Sequence, residues 1–156
     1  MTHKIRPKIK VDRSALQRRV GYCSQRTYIA ILEKSKHHVT KHNLQQGDFA
    51  VLVLLHHNPG LSSLQICQAL GIQPPNLVAL VAGLEARSLI ERKNHPHDAR
   101  SMALYLTITG RSLLTRMERA VEKADREATA MLSAKERETL ISLLCRVFAE
   151  TADDPG

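Results

Sequence analysis

Residues 61–110 read LSSLQICQALGIQPPNLVALVAGLEARSLIERKNHPHDARSMALYLTITG, and this stretch decides the fold. Leu61-Ser62-Ser63 offers a serine cap, because a serine oxygen accepts from a backbone N–H left unpaired at a helix start. A short helix then runs to about Leu70, where Gly71 breaks it. Pro74 suits the first turn of a second helix, since its missing N–H would have no partner there. That helix runs to about Arg87, with Leu77, Leu80, Val81 and Leu84 on one face. Ser88 to Arg92 reads as extended and Asn94-His95-Pro96-His97-Asp98 as a turn. Ser101 to Thr107 reads as a strand, with Met102, Leu104 and Leu106 alternating against Ala103, Tyr105 and Thr107. Short helix, turn, longer helix and β-hairpin make a helix-turn-helix with a wing, a unit that sets its second helix into the DNA major groove.

Working outward, residues 47–57 (GDFAVLVLLHH) form a buried apolar run. Asp48 as a first-turn acid and Asn58-Pro59-Gly60 as a stop favour a helix over a strand. Upstream, Leu16, Val20, Cys23, Thr27 and Ile31 recur at helical spacing, which predicts one long helix from Ser14 to about Lys41, capped by Asp12 or Ser14. Downstream, Thr107 or Thr109 caps a helix carrying Leu113, Met117, Ala120 or Val121, Ala124, Ala128 and Met131. Ser133-Ala134-Lys135-Glu136 is a capping box opening a last helix with Leu140, Ile141, Leu144, Val147 and Phe148. The predicted fold class is mainly α with a small β-hairpin wing (α+β), a winged helix-turn-helix core flanked by dimerisation helices. The predicted organisation is a flexible basic arm at 1–13, an N-terminal dimerisation helix at 14–46 and a DNA-binding lobe at 47–108. C-terminal dimerisation helices at 109–150 and a polar tail at 151–156 complete it.

The chain has 156 residues, 43% of them hydrophobic and 24% charged, enough for one packed domain. Trp is absent and aromatics make up 3%, so the core must be aliphatic. No run of about 18 apolar residues offers an ordinary membrane span, and no apolar signal core follows the basic N-terminus. Three widely spaced cysteines, Cys23, Cys67 and Cys145, argue against a disulfide scaffold and fit a reducing cytoplasm. The net charge of +8 is uneven: residues 1–46 carry +9, residues 47–110 carry 0 and residues 111–156 carry −1. A basic balance points to a polyanionic partner, and nucleic acid is the usual one.

Residues 61–110 resemble the winged helix-turn-helix of the multiple antibiotic resistance regulator (MarR) family. The matching pieces are Leu70-Gly71-Ile72, Leu80-Val81, Leu84-Glu85, Leu89-Ile90-Glu91-Arg92, Asp98-Ala99-Arg100, and Leu106, Thr107 and Gly110 of LTITG. The flanking helices suit the family's dimerisation region, so the likeness covers roughly residues 14–150. It implies a homodimeric regulator binding a pseudo-palindromic operator on double-stranded DNA. It also implies a repressor released by a small aromatic compound or its acyl-CoA thioester, with no catalytic activity, cofactor or membrane partner. Three departures stand out. Gln73 occupies a position often held by Ser or Thr, so Pro74 and Pro75 set the helix start. Ser88 stands where Gly is frequent; a left-handed non-glycine residue would cost roughly 1 kcal/mol, so a differently built bend is expected. The second helix carries no Lys or Arg before Arg87, which removes the common arginine–guanine contact from its first turns.

The DNA-contact candidates are Ser62, Gln73, Pro74, Pro75, Asn76 and Ala79 around the second helix, and Lys93, Asn94, His95, His97, Asp98 and Arg100 on the wing. Gln and Asn can pair with adenine edges and Ala can touch a thymine methyl; the alternative is a solvated helix end. In the family's wing the acid orients the arginine, against the plainer reading of a surface salt bridge worth little. Effector-binding candidates are Arg18, Arg19, Tyr22, Arg26, His56 and His57; the N-terminal charge either tracks DNA phosphates through a basic arm or forms a patch of Arg18, Arg19, Arg26 and Lys34 for an effector's phosphates. Dimerisation candidates are Leu16, Val20, Leu140, Leu144, Val147 and Phe148. Cys23 lies on the apolar stripe and is expected to be inert core, although the family's peroxide sensors carry a cysteine in this region. Cys67 is expected to pack between two helices. His38 and His42 have a metal-clipping spacing and His37, His56 and His57 add to the count, but a site needs three or four converging ligands, and no metal is expected. The alternatives are a cysteine-based redox or metal-sensing regulator of the same fold, and a dimeric scaffold that does not bind DNA. No nucleophile elbow, glycine-rich loop or carboxylate pair supports an enzyme.

Overall fold

The computed structural model describes residues 11–95 and 98–152. Seven helices and one hairpin follow in order: α1 (Ser14–Gln17), α2 (Val20–Thr40), α3 (Gln46–His57), α4 (Ser63–Leu70), α5 (Pro74–Ala86), β1 (Ile90–His95), β2 (Asp98–Leu106), α6 (Ile108–Ala128) and α7 (Ala134–Ala152). The mainly helical fold with a two-stranded wing is the one expected. Of the predicted segments, residues 1–10 of the arm, His97 in the turn and residues 153–156 of the tail lie outside the described residues.

Local chemistry sets most element boundaries. Ser62 caps α4 by accepting from Gln65 N at 3.3 Å, while Gln65 Oε1 accepts from Ser62 N at 2.9 Å. Ser133 and Glu136 repeat this exchange at α7, with Glu136 Oε2 accepting from Ser133 N at 2.8 Å. The Asp12 and Glu136 carboxyls sit below their ordinary pKa because each accepts hydrogen bonds at a helix start, from Ser14 and Ser133 respectively. Gly71 ends α4 in the left-handed region at φ 62°, with Ile72 N donating to Cys67 O and Gly71 N to Gln68 O. This pair of bonds is a Schellman closure.

The core is aliphatic. Val51, Leu52 and Leu55 of α3, Ile66 and Cys67 of α4 and Leu77, Val81 and Leu84 of α5 meet Leu104 and Leu106 of β2 and Leu113, Leu114, Met117 and Val121 of α6. Cys67 is buried there as expected. The hairpin pairs Ile90 with Leu106 and Arg92 with Leu104, with an irregularity between Asn94 and His95. Leu61 adds a single bridge to the sheet: Leu104 N donates to Leu61 O at 2.9 Å. The wing root is thereby tied to the turn before α4.

Four expectations need correction. The predicted single helix from Ser14 is broken at Arg18–Arg19, where Arg19 is extended at φ −104° and ψ 121°. Leu16 and Val20 face solvent in the protomer, Val20 at 75% exposure, so no packing holds the first turn in line. Its C-terminal end falls at Thr40, beside the expected Lys41. Cys23 is exposed rather than core, its Sγ donating to Gln17 O at 3.3 Å, because α2 contributes Ser35 and Val39 to the interior instead. Met131 lies beyond α6 and is 78% exposed. Finally, the bend after α5 is built in the ordinary left-handed way despite its serine: Ser88 has φ 54°. Leu89 N donates to Leu84 O at 3.0 Å and Ser88 N to Glu85 O at 2.8 Å, the same closure that Gly71 makes. Burial of Leu84 and Leu89 holds it.

Thr107 fixes the junction behind this bend. Its hydroxyl donates to Ser88 O at 2.7 Å and accepts from Gly110 N at 3.0 Å, while its N–H donates to Leu89 O at 3.1 Å. Gly110 has no room for a side chain, since a Cβ there would collide with Leu89 O. Ser88→Gly should therefore stabilise the chain by about 1 kcal/mol, raising Tm by about 2–4 °C. Gly110→Ala should destabilise it by about 1–3 kcal/mol through overpacking. Thermal melts of the two variants check both signs.

Candidate nucleic-acid interface

The axes of α4 and α5 differ by 113°, within the range that places the second helix of a helix-turn-helix across a groove. Leu77, Val81 and Leu84 anchor α5 inward. Gln73, Pro74, Pro75, Asn76 and Ala79 are all exposed on it, as the sequence suggested. Gln73 sits at the N-cap but its side chain makes no capping bond, so its amide is free, and the prolines occupy the first turn. Ser62 differs: its hydroxyl is engaged with Gln65 at both ends of the capping box, so its structural duty is the start of α4.

On the wing, Lys93 and Asn94 are exposed. Asp98 and Arg100 lie on β2 and His95 ends β1; their side chains, and His97 altogether, lie outside the described set. Three cations near α5 are already engaged. Arg92 grips Glu85 with two bonds, Nε to Oε1 at 2.7 Å and Nη2 to Oε2 at 3.2 Å. Lys93 Nζ sits 2.7 Å from Glu91 and 5.4 Å above the Tyr105 ring. Arg87 donates to the carbonyls of Asn43 at 2.7 Å and His42 at 2.8 Å, tying the end of α5 to the turn after α2. Sequence reasoning missed Glu85 as the partner of Arg92 and Arg87 as a clasp. No local pattern marks a bond that spans more than 40 residues.

The effector candidates are less convergent. Arg18 and Arg19 mark the α1–α2 break and Arg26 is exposed, whereas Tyr22 and His56 are half-buried. The His56 and His57 rings meet edge-on at 5.0 Å. No hydrogen bond or ring contact joins them to Tyr22. His56 Nδ1 is buried without a partner, as is Gln46 Nε2. Gln46 helps line a concavity of about 250 Å³ with Leu32, Lys36, Val39, Thr40 and Gln45. None of the six effector candidates lines it. The dimerisation candidates Leu16, Val20, Leu144, Val147 and Phe148 are exposed, joined by Ile141 and Leu143; Leu140 is half-buried.

His38 and His42 are half-buried, and both are held below the ordinary imidazole pKa. Burial is the larger cause for each. His37, Lys41 and Lys123 add repulsion at His38, opposed by Glu127; Lys41, Arg116 and Arg87 add it at His42. No group of three or more His, Cys, Asp or Glu converges on a common point among the described residues. No single described helix is long and apolar enough to cross a membrane.

The sequence profile of the MarR family matches residues 42–101. A protein of Thauera aromatica assigned as a transcriptional regulatory protein for the hcr operon is 32% identical over 138 residues, covering 88% of this chain and 83% of its own. The solved structure of the transcriptional repressor CouR bound to a 23-mer DNA duplex is 34% identical. It superposes with a TM-score of 0.80 over 88% of this chain and 98% of its own. CouR bound to p-coumaroyl-CoA is 32% identical, with a TM-score of 0.76 over 88% and 97% of the two chains.

The histidines set a sign for pH dependence. A folded pKa below the unfolded value of about 6.5 means the unfolded chain binds more protons as pH falls through that value. Their contribution is therefore present above about pH 6.5 and is lost on acidification. Denaturant titrations between about pH 7.5 and 5.5 should show stability falling with pH. The slope should be reduced in the His38→Gln, His42→Gln double variant.

Proposed function

The chain belongs to the MarR family of transcriptional regulators, and on that premise we propose that it is a homodimeric, operator-binding repressor released by a small aromatic ligand. The observation that carries this reading is the α4–α5 pair at 113° with an exposed outer face and a wing directly behind it. The relative CouR, at 34% identity, is bound to a DNA duplex in a matching fold. Gln73, Asn76 and Ala79 would meet base edges, and the wing motif Asp98-Ala99-Arg100 would approach the backbone or minor groove. Two-fold symmetry would present two recognition helices to half-sites about one turn apart.

The dimer would be closed by the terminal helices. Ile141, Leu143, Leu144 and Val147 leave α7 with an apolar face that its own protomer does not cover, and Leu16 and Val20 do the same at the start of the chain. Ligand binding would act as a population shift, favouring a spacing of the two winged lobes that does not fit adjacent major grooves.

For the effector, an aromatic acyl-CoA is favoured over a free acid. The basic excess of residues 1–46 exceeds what one carboxylate needs. CouR carries such a thioester. Arg18 and Arg19 would hold phosphates, and the acyl part would enter beside Tyr22, His56 and α3. None of these residues lines the concavity of about 250 Å³ beside Gln46, so on this reading the cleft is completed by the partner protomer.

Fluorescence anisotropy with DNA upstream of the chain's own coding region tests the main reading. Tight, saturable binding is expected, and Arg100→Ala should weaken it at least about tenfold, or 1.4 kcal/mol; absence of any sequence-selective binding sinks it. Deleting residues 134–156 should give a monomer or aggregate by light scattering, and a well-folded dimer would count against the terminal-helix interface. In the same assay, p-coumaroyl-CoA should release DNA from the wild type but not from the Arg18→Glu, Arg19→Glu variant. Equal release by the free acid would overturn the thioester assignment.

A further inference from the structure

The recognition helix has an unusual outer face. Pro75, Val78, Ala79 and Ala82 stand at i, i+3, i+4 and i+7, so they share one side of α5. All four are exposed, Val78 at 65%. Asn76 is the polar side chain within the first turns beside them, and Gln73 stands free at the N-cap. A single exposed valine needs no explanation, but an uncharged apolar face across two turns of a helix aimed at a polyanion does.

The charges nearby deepen the point. The side chains that most often read guanine are Arg and Lys. Among the described side chains of the α5–β1 region, Arg92 is held bidentate by Glu85, Lys93 is paired with Glu91, and Arg87 is bound to two backbone carbonyls. Each is thus partly neutralised or held in place by the protein itself. What α5 offers without rearrangement is methyl groups, small side chains that let the backbone approach closely, and two amides.

Resting on the reading of α5 as the recognition helix, we infer that this chain reads its operator chiefly by apolar contact with thymine 5-methyl groups, with Val78 and Ala79 as the contacting residues. Thymine is the one base that presents a methyl in the major groove. Burying it against Val78 removes apolar surface of both partners from water without charge or hydrogen-bond alignment. The amides of Gln73 and Asn76 can pair with adenine edges, so methyl and amide contacts select A·T pairs together. Val78 thereby becomes a specificity-determining residue.

The test selects the best-bound duplex from a randomised pool with the full-length wild-type protein, then resynthesises it with deoxyuridine replacing thymidine one position at a time. Deoxyuridine pairs identically and lacks only the methyl. The expected result is a loss of about fourfold in affinity for each contacted methyl, at one or more positions per half-site. In Val78→Ala, which alters a solvent-facing side chain, that loss should shrink at the same positions while melting temperature and dimer state stay unchanged. Affinity indifferent to deoxyuridine at every position overturns the inference while leaving the DNA-binding reading intact. So does a deoxyuridine penalty that Val78→Ala leaves in full. If the pool yields no enriched duplex, the reading of α5 as a recognition helix falls, and the inference with it.

Discussion

One hydroxyl fixes the exit of α5. Thr107 Oγ1 donates to the carbonyl of Ser88 and accepts from Gly110 N, so the exit of α5, the end of β2 and the first turn of α6 share a single fixed point. The Thr107 N–H adds a bond to Leu89 O, and the lack of a side chain at Gly110 lets α6 come this close. A carbonyl turned inward by a left-handed residue would be an orphan without such a donor. The strain at Ser88 is tolerated because both of its neighbours are engaged: the buried leucine behind it and the threonine across from it.

How far the sequence revealed this can be judged residue by residue. Ser62 with Gln65, Thr107 with Gly110 and Ser133 with Glu136 are local exchanges between residues three apart, and their spacing is visible in the text of the chain. Gly71 is legible for the same reason: its conformational freedom acts on its own turn. The break at Arg18–Arg19 was not legible, because the apolar spacing through Leu16, Val20 and Cys23 promises a partner that the protomer does not supply. The pattern marks a face; it does not say which molecule covers it. Ser88 misled in the other direction, since intrinsic preference argued against a bend that tertiary bonds enforce. At the candidate interface, exposure of Gln73, Asn76 and Ala79 followed from helical phase. Whether Arg92 or Lys93 was free to act did not, because their partners are set by how β1 leaves α5 and pairs with β2.

The two lobes are joined by more than the covalent chain. Arg87 leaves the end of α5 and binds the carbonyls of His42 and Asn43, just past the end of α2. Asn43 is itself left-handed, at φ 55°. The helix proposed to face DNA thus meets the C-terminal end of α2 at a two-bond clasp. At the same corner, burial first and then the cations Lys41, Arg116 and Arg87 hold His42 below the ordinary imidazole pKa, favouring its neutral form.

The ion pairs Glu85–Arg92 and Glu91–Lys93 have a consequence for how such a protein would find its target on a chromosome. Adhesion to random sequence is driven by cations that displace counterions from phosphates. Carboxylates built beside the recognition helix compete with every phosphate for those cations, right or wrong. Around α5 this competition would weaken the hold on wrong sequence, leaving adhesion to random DNA to the basic residues 1–46, which carry +9. Search along the chromosome and reading of the operator would then fall to different parts of the chain.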